Sequence, residues 1–243
     1  MGFHVVIPAR LASTRLASKP LLDIHGKPMI QWVYENALKS NAESVIIATD
    51  DQSIVEVVNS FNGNVSLTRA DHSNGTDRIV EVCEQQQWSD DTVIVNCQGD
   101  EPLMPFENLN QVAQLLNKYK APMSTLHKSI SATQAANPNQ VKLVCAEDGK
   151  ALYFSRSIMP FDRDGDQSID YYGHIGLYAY QVGFLKTYST LAPCSLETIE
   201  KLEQLRALYY GYNIYSQLAV KEPGTGVDTQ QDLDEVRKII QGM

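Results

Sequence analysis

The feature that most constrains the fold is an alternation of short apolar runs with helix-period segments. Apolar runs typical of buried strands lie at His4–Ile7, Ser44–Ala48, Val65–Leu67 and Thr92–Asn96. Segments of helical period separate or follow them, at Pro28–Leu38, Ser53–Asn59, Asp77–Gln86 and Phe106–Tyr119. Strands that alternate with helices predict right-handed βαβ units. We therefore expect an α/β fold with a twisted, mainly parallel sheet flanked by helices.

The pattern changes from about Pro122 onward, where strand-like runs follow one another with few helices between them. These runs are Met123–His127, Val141–Cys145, Leu152–Ser155 and Gly176–Tyr180. They predict a more antiparallel extension of the same sheet. The rest of the chain predicts a helix near Leu196–Tyr209, a strand near Ile214–Ala219 and a final helix near Thr229–Ile240.

Composition excludes several functional classes. The formal net charge of −9 argues against nucleic-acid binding, which needs a basic face. The four cysteines are far apart in sequence, so neither a zinc site nor a disulfide framework is expected. The N-terminus has no basic region before its first apolar run, and no apolar stretch approaches the roughly 20 residues that span a bilayer. We expect a cytoplasmic protein without membrane insertion.

Three cations follow the first predicted strand directly. Arg10, Arg15 and Lys19 lie in the segment Ile7–Leu21, at the carboxyl end of a strand, where ligands of α/β sheets collect. Arginine forks and a lysine ammonium together can neutralise a triphosphate. The segment matches neither a P-loop nor a dinucleotide fingerprint. We interpret it as a site for phosphates rather than as a solvated basic loop.

Two turns carry carboxylates that can bind a hard cation. Asp100 follows the most apolar predicted strand in Asn96–Pro102, and Asp228 lies in the glycine-containing turn Pro223–Thr229. One or two protein carboxylates are typical of a magnesium site that also holds substrate phosphates. Local chemistry alone leaves Asp100 open between a cation ligand and an ordinary turn residue. For Asp228 it favours capping of the last helix.

Further polar residues interrupt apolar elements and indicate a pocket. Arg78 begins a predicted helix after the polar loop Asp71–Asp77, which could contact a base or simply cap the helix. The others are Arg156, His174, Tyr178, Glu203 and Gln204. An isolated histidine such as His174 is more often a structural residue than a catalytic one.

Seven segments, in this order, resemble the CMP-Kdo synthetases (3-deoxy-manno-octulosonate cytidylyltransferases) over nearly the whole chain. They are IPARLASTRLASKPL, TRADHSNGTDR, VIVNCQGDEP, ALYFSRSIMPFDRD, HIGLYAY, LETIEKLEQLR and PGTGVDT. The resemblance implies one nucleotidyltransferase domain over residues 1–243. Residues 1–121 would bind CTP, residues 122–222 would bind the sugar and form a homodimer, and residues 223–243 would supply a metal-binding turn and a helix.

The resemblance also implies roles for individual residues. Arg10, Arg15 and Lys19 would contact the CTP phosphates, and Pro8, Asn74, Gly75 and Arg78 would surround the cytidine. Asp100 and Asp228 would hold Mg²⁺ beside the nucleotide, and with Arg10 and Lys19 they would form the catalytic set. Gln98, Arg156, His174, Tyr178, Glu203 and Gln204 would surround an acidic eight-carbon sugar. The implied reaction joins CTP to that sugar, with loss of pyrophosphate, for lipopolysaccharide biosynthesis.

One departure from the family bears on the sugar. The family usually carries an arginine immediately before HIGLYAY, where this chain has Gly173. Loss of that cation and gain of space would favour a Kdo variant with an amine, 8-amino-3,8-dideoxy-manno-octulosonate. Both Kdo and the 8-amino analogue are therefore kept as hypotheses for the acceptor.

Three alternatives remain open from sequence. The first is a cytidylyltransferase for another acidic sugar, such as a sialic acid. The second is a glycosyltransferase with a DxD metal motif, for which Asp162-Arg163-Asp164 has the letters but not the position after a central strand. The third is a non-catalytic nucleotide-binding regulator, which would need no paired metal carboxylates.

Overall fold

A mixed sheet forms the centre of the computed structural model, which describes residues 2–11, 16–72, 74–165 and 170–242. The strands are β1 (Phe3–Pro8), β2 (Asp23–Ile24), β3 (Lys27–Pro28), β4 (Ser44–Thr49), β5 (Val65–Leu67), β6 (Val93–Asn96), β7 (Met123–Ile130), β8 (Lys142–Cys145), β9 (Ala151–Ser155), β10 (Tyr171–Gln181) and β11 (Ile214–Leu218). The helices are α1 (Met29–Ala37), α2 (Gln52–Ser60), α3 (Gly75–Gln85), α4 (Phe106–Tyr119), α5 (Ala132–Ala135), α6 (Val182–Thr190), α7 (Ser195–Glu200), α8 (Gln204–Tyr209) and α9 (Gln230–Gln241).

The main sheet has a parallel half and a more antiparallel half. Its order is β11–β7–β10–β6–β1–β4–β5, with β8 paired to β10 and β9 to β8. β1 pairs in parallel with β4 and β6, and β4 with β5. β10 is antiparallel to both β6 and β7, whereas β11 is parallel to β7. The predicted α/β class, with its parallel sheet and antiparallel extension, is confirmed.

Alternating residues of the central strands enter two cores on opposite faces of the sheet. On β1, Val5 and Ile7 pack with α1, α2 and α4, whereas Val6 packs with α3, α6 and α8. Because both faces are covered, the strands are almost wholly apolar, as buried parallel strands are. The carboxyl ends of β1, β4 and β6 therefore open at one edge of the sheet, and their loops meet there.

A third, smaller core fastens the C-terminal helix. Leu233 and Val236 of α9 pack with Met29 of α1, Ile24 and Val227. The side chain of Thr229 accepts the backbone N–H of Asp232 as the N-cap of α9. This packing places the turn before α9 beside the carboxyl end of β6.

The elements differ from the sequence prediction in several places, including the short elements α5, β2 and β3, which were not predicted. The single helix predicted over Leu196–Tyr209 is wrong, since the chain breaks into α7 and α8 at Lys201, which has φ 54°. Helix α6 was not predicted. β10 begins at Tyr171 rather than Gly176, because its first residues pair with β7 and β8. Of the helices in the described ranges, none has the length and apolarity to cross a membrane.

Candidate active site

A cavity of about 280 Å³ opens at the carboxyl ends of β1 and β6. It brings together residues predicted for cytidine and for sugar. They are Pro8, Arg10, Asn74, Gly75, Arg78, Gln98, Tyr178, Glu203 and Gln204. Segments that are distant in sequence thus meet in one concave surface at the edge where α/β sheets bind ligands.

The start of α3 forms one wall of this first cavity. The Asn74 side chain caps the helix by accepting the backbone N–H of Asp77 at 2.8 Å. Gly75 lies against β1, since a Cβ atom there would be 3.5 Å from Pro8 Cγ. Arg78 is buried and pairs with Asp50 at 3.1 Å, and it also donates to Thr68 Oγ1. Asn74 therefore both caps α3 and lines the cavity.

The opposite wall comes from β6, β10 and the start of α8. Gln98 donates from Nε2 to Asn96 Oδ1 at 3.1 Å. Tyr178 lies on β10 directly across from Asn96 of β6. Glu203 and Gln204 join this wall from the break between α7 and α8. Burial, together with nearby Glu197, raises the pKa of the Glu203 carboxyl, and Arg206 partly opposes that shift.

His174 is a packed, neutral histidine. Its ring lies 5.2 Å from that of Phe154 and 5.3 Å from that of Tyr178, and its Nε2 lies 3.0 Å from Thr125 Oγ1. Burial, with a smaller contribution from His127, lowers the pKa of His174 to about 3. The residue borders a second cavity rather than the first. Its predicted part in sugar binding stays a prediction.

Two further arginines, Arg156 and Arg15, were predicted as site residues. Arg156 is outside the described linings of both cavities, and its guanidinium donates to the carbonyls of Glu200 at 2.7 Å and Pro138 at 3.1 Å. Its predicted contact with the sugar stays a prediction. Arg15 lies outside the described residues.

The second cavity, of about 600 Å³, contains the predicted metal ligands. Asp100 and Asp228 both line it, together with Glu101. The two turns are joined by a backbone hydrogen bond from Val227 N–H to the Asp100 carbonyl at 2.9 Å. Gln98 and Asp100 are two residues apart, so the loop after β6 contributes to both cavities.

Lys19 joins the two carboxylates through its ammonium group. Nζ lies 2.7 Å from Asp100 Oδ2, 3.0 Å from Asp228 Oδ1 and 2.9 Å from the Val227 carbonyl. The Lys19 side chain is 13% exposed. Burial alone would lower the pKa of Lys19, but the two aspartates outweigh it and raise the pKa. The structure therefore places one cation between the two predicted magnesium ligands.

These residues fit a hard divalent cation. Two carboxylates from separate turns reach the same ammonium group, so one small cation could contact both of them. Oxygen ligands from one or two aspartates, completed by phosphate and water, are what Mg²⁺ prefers. The sequence of neither turn alone indicated that Asp100 and Asp228 lie close together.

Glu101 is a site residue that sequence reasoning missed. It follows Asp100 in the QGDEP segment, and burial together with Asp100 and Asp228 raises its pKa to about 8. Its proximity to Asp100 in sequence was a usable signal. Lys128 and Gln140 also line the second cavity, and no local pattern identified them.

The space beside Gly173 is occupied, contrary to the expectation from the small size of this residue. A Cβ atom at this position would lie 2.8 Å from Ile130 Cγ2 and 2.9 Å from Gln140 Nε2. Successive residues of a strand point to opposite faces, so Gly173 faces away from His174. Neighbouring side chains have filled the space. The Asp162-Arg163-Asp164 segment, in turn, is outside the described linings of both cavities.

Comparison with known proteins agrees with this arrangement. The cytidylyltransferase family matches residues 4–216. A 3-deoxy-manno-octulosonate cytidylyltransferase of Photobacterium profundum is 51% identical, covering 99% of this chain and 100% of that protein. The protein of that name from Haemophilus influenzae is 48% identical, covering 99% of each. The structure of a CMP:2-keto-3-deoxy-manno-octonic acid synthetase complexed with CTP superposes with a TM-score of 0.93 at 42% identity, covering 100% of this chain and 99% of that one.

The curated relatives and the solved structure match over 99–100% of the chain, whereas the family model ends at residue 216, before the turn that carries Asp228. Neither the sialic-acid alternative nor the glycosyltransferase alternative finds support among them. The chain belongs to the cytidylyltransferase family of nucleotidyltransferases and, within it, to the 3-deoxy-manno-octulosonate cytidylyltransferases, or CMP-Kdo synthetases.

Proposed function

We propose that this chain transfers the cytidylyl group of CTP to Kdo in a reaction that requires Mg²⁺. The observation that carries the proposal is the meeting of three predicted sets of residues. Residues predicted to contact cytidine and residues predicted to contact the sugar share the first cavity. The two predicted metal ligands of the second cavity, Asp100 and Asp228, lie on the loop that also supplies Gln98 and on the turn bonded to that loop. A pure binding protein would not need the paired carboxylates.

The proposed reaction is an in-line displacement at phosphorus. The anomeric hydroxyl oxygen of the sugar forms a bond to the α-phosphorus of CTP, and the bond from that phosphorus to the bridging oxygen breaks. Pyrophosphate leaves with the electron pair, and the hydroxyl proton passes to solvent or base. The protein acts mainly by orienting the two substrates and by neutralising charge.

Separate residues supply these two effects. Arg10, which lines the first cavity, and Lys19 are the described cations on the loop after β1 that could balance the triphosphate. Asp100 and Asp228 would hold Mg²⁺, which when bound polarises phosphate oxygens and stabilises the leaving group. Gln98, Tyr178, Glu203 and Gln204 would orient the sugar in the first cavity. The homodimer and the cytoplasmic location stay predictions.

A substrate panel tests the proposal directly. Pyrophosphate release from CTP is measured with Kdo, with 8-amino-3,8-dideoxy-manno-octulosonate and with a sialic acid. We expect turnover with Kdo and none with the sialic acid. The 8-amino analogue decides the prediction made from Gly173, which the relatives and the geometry do not support. Absence of turnover with Kdo would refute the proposed function.

The metal proposal has its own test. Asp100→Asn and Asp228→Asn should each lower kcat/KM by at least about 100-fold, because each removes one anionic ligand from a site that acts in phosphoryl transfer. Excess EDTA should abolish turnover of the wild type. Asp234→Asn, an exposed substitution on the helix that follows the Asp228 turn, is the matched control and should retain activity. Full turnover in EDTA would contradict the requirement for metal.

A further inference from the structure

The wall of the first cavity that carries Glu203 and Gln204 is a short, irregular segment between two short helices. It begins at Lys201, whose left-handed backbone ends α7, and it ends where α8 starts. Its backbone hydrogen bonds are local, from Leu202 N–H to the Glu197 carbonyl at 3.3 Å and from Arg206 N–H to the Glu203 carbonyl at 3.0 Å. Side chains of neighbouring elements supply further contacts that fix its position.

A buried ion pair bridges the two helices across this segment. Arg206 of α8 donates from Nε to Glu197 Oε2 at 2.7 Å and from Nη2 to Glu197 Oε1 at 2.5 Å. The side chains are 8% and 11% exposed respectively. Both residues belong to the LETIEKLEQLR segment, in which only Glu203 and Gln204 have an assigned role. Bidentate arginine–carboxylate pairs fix geometry as well as charge.

Tyr188 connects the ion pair to the cavity wall. The Arg206 guanidinium lies 4.8 Å from the centroid of the Tyr188 ring. The Tyr188 hydroxyl donates to the backbone carbonyl of Glu203 at 2.8 Å. Tyr188 is only 4% exposed, and it also lines the first cavity. A continuous set of contacts therefore runs from Glu197 through Arg206 and Tyr188 to the Glu203 backbone.

We infer that Arg206 and Tyr188 are positioning residues for the sugar in the cytidylyltransferase reaction, an inference that rests on the proposed function. The Arg206 guanidinium packs on the Tyr188 ring and orients it. The Tyr188 hydroxyl in turn fixes the backbone from which Glu203 and Gln204 reach the cavity. A buried ion pair alone is a poor stabiliser compared with apolar packing. This pair spans the segment that carries Glu203 and Gln204, the two residues predicted to contact the sugar. We therefore assign the pair a role in holding the geometry of that segment.

The test separates positioning from stability. Tyr188→Phe keeps the ring and removes only the hydroxyl, so it should raise KM for the accepted sugar roughly three- to tenfold, as expected for one lost hydrogen bond. It should leave kcat and KM for CTP within about twofold of the wild type. The double variant Glu197→Gln/Arg206→Met removes the ion pair without leaving one charge buried alone, and it should raise KM for the sugar further.

Two more variants keep the result interpretable. Arg206→Lys retains a cation over Tyr188 but not the bidentate fork, and its KM for the sugar should fall between those of the wild type and the double variant. Lys186 lies on α6, the helix that also carries Tyr188, and forms an exposed ion pair with Asp90. Lys186→Met breaks that pair and should change none of the kinetic constants.

Two outcomes would overturn the inference. If the variants lose stability to urea while KM for the sugar stays within about twofold, the network is only structural. If KM for CTP rises as much as KM for the sugar, the wall does not act on the sugar. The measurements use whichever sugar the wild type accepts, so failure with Kdo in the substrate panel counts against the proposed function and not against the network.

Discussion

At the scale of single residues, Lys19 is the side chain whose placement adds most to the sequence prediction. It was predicted to serve the triphosphate, but its ammonium group lies between Asp100 and Asp228, the predicted metal ligands. An ammonium and a divalent cation would compete for the same carboxylate oxygens. We therefore expect the free protein to bind metal weakly, and CTP to bring the metal and draw Lys19 toward its phosphates.

Replacement of Lys19 tests this competition without turnover. In Lys19→Met the two carboxylates lose their lysine counter-ion, so the protein without CTP should bind Mn²⁺ about tenfold more tightly, which corresponds to about 1.4 kcal/mol. Electron paramagnetic resonance of free Mn²⁺ measures that affinity. The same variant should bind CTP more weakly, because one cation of the phosphate site has gone.

Lys27→Met is the matched control, since Lys27 of β3 forms an ion pair of the same length, 2.7 Å, with Glu35 of α1. Neither residue lines the two described cavities. It should leave the Mn²⁺ affinity unchanged. Unchanged or weaker Mn²⁺ binding in Lys19→Met would show that Lys19 does not compete with the metal.

The same residues show what sequence can and cannot predict about a site. Asp100 and Asp228 were predicted as ligands through the family resemblance, since local chemistry left Asp100 open and favoured helix capping for Asp228. The ammonium between them was not predicted, because Lys19 is separated from Asp100 by 81 positions and from Asp228 by 209. The docking of α9 on α1 and the backbone hydrogen bond from Val227 to Asp100 bring these turns together.

At the scale of elements, predictions succeeded where local signals mark both ends and failed where a tertiary contact sets the boundary. The helices at Met29–Ala37 and Phe106–Tyr119 each follow a proline and carry a periodic apolar face, so their extents were close to the prediction. The break at Lys201 has no such mark. Leu196, Ile199, Leu202 and Leu205 continue the helical period through it, and lysine rarely adopts a left-handed backbone.

The two glycines of β10 give a matched test of how this strand packs. Gly173→Ala should lower the free energy of unfolding by about 1–3 kcal/mol, because its Cβ atom would meet Ile130 and Gln140 at less than 3 Å. Gly176→Ala should leave that free energy unchanged or raise it by up to about 1 kcal/mol, because nothing lies within 4 Å of its Cβ position.

Urea unfolding at neutral pH measures both variants. If Gly173→Ala is as stable as the wild type, the space beside Gly173 is not filled as described, and the correction to the expected sugar pocket fails with it.

At the scale of the whole molecule, the parallel half of the sheet was predictable and the pairing of the extension was not. Strands alternate with helices in the first half, and the right-handed crossover leaves few arrangements. In the second half, β10 lies between β6 and β7 and is antiparallel to both. Such pairing depends on non-local contacts, for which the sequence carries no local signal.

That pairing buries two histidines side by side, His127 on β7 and His174 on β10. Burial lowers the pKa of His127 to about 4, and burial with a contribution from His127 lowers the pKa of His174 to about 3. Both values lie below the usual 6.5. As the pH falls below that usual value, the unfolded chain therefore takes up protons at these positions while the folded chain does not.

The free energy of unfolding should consequently fall with pH between about 6.5 and about 4, with a slope that approaches about 1.4 kcal/mol per pH unit for each histidine. Urea unfolding at about pH 7 and about pH 5 should show a loss of about 2 kcal/mol per histidine that disappears in His127→Gln/His174→Gln. Other groups, including Glu101, titrate in both proteins, so the difference between wild type and variant isolates the histidines. Each single variant should remove about half of the effect. Equal losses in the wild type and the double variant would mean that these rings are protonated in the folded protein, and that the β7–β10 pair does not exclude water from them.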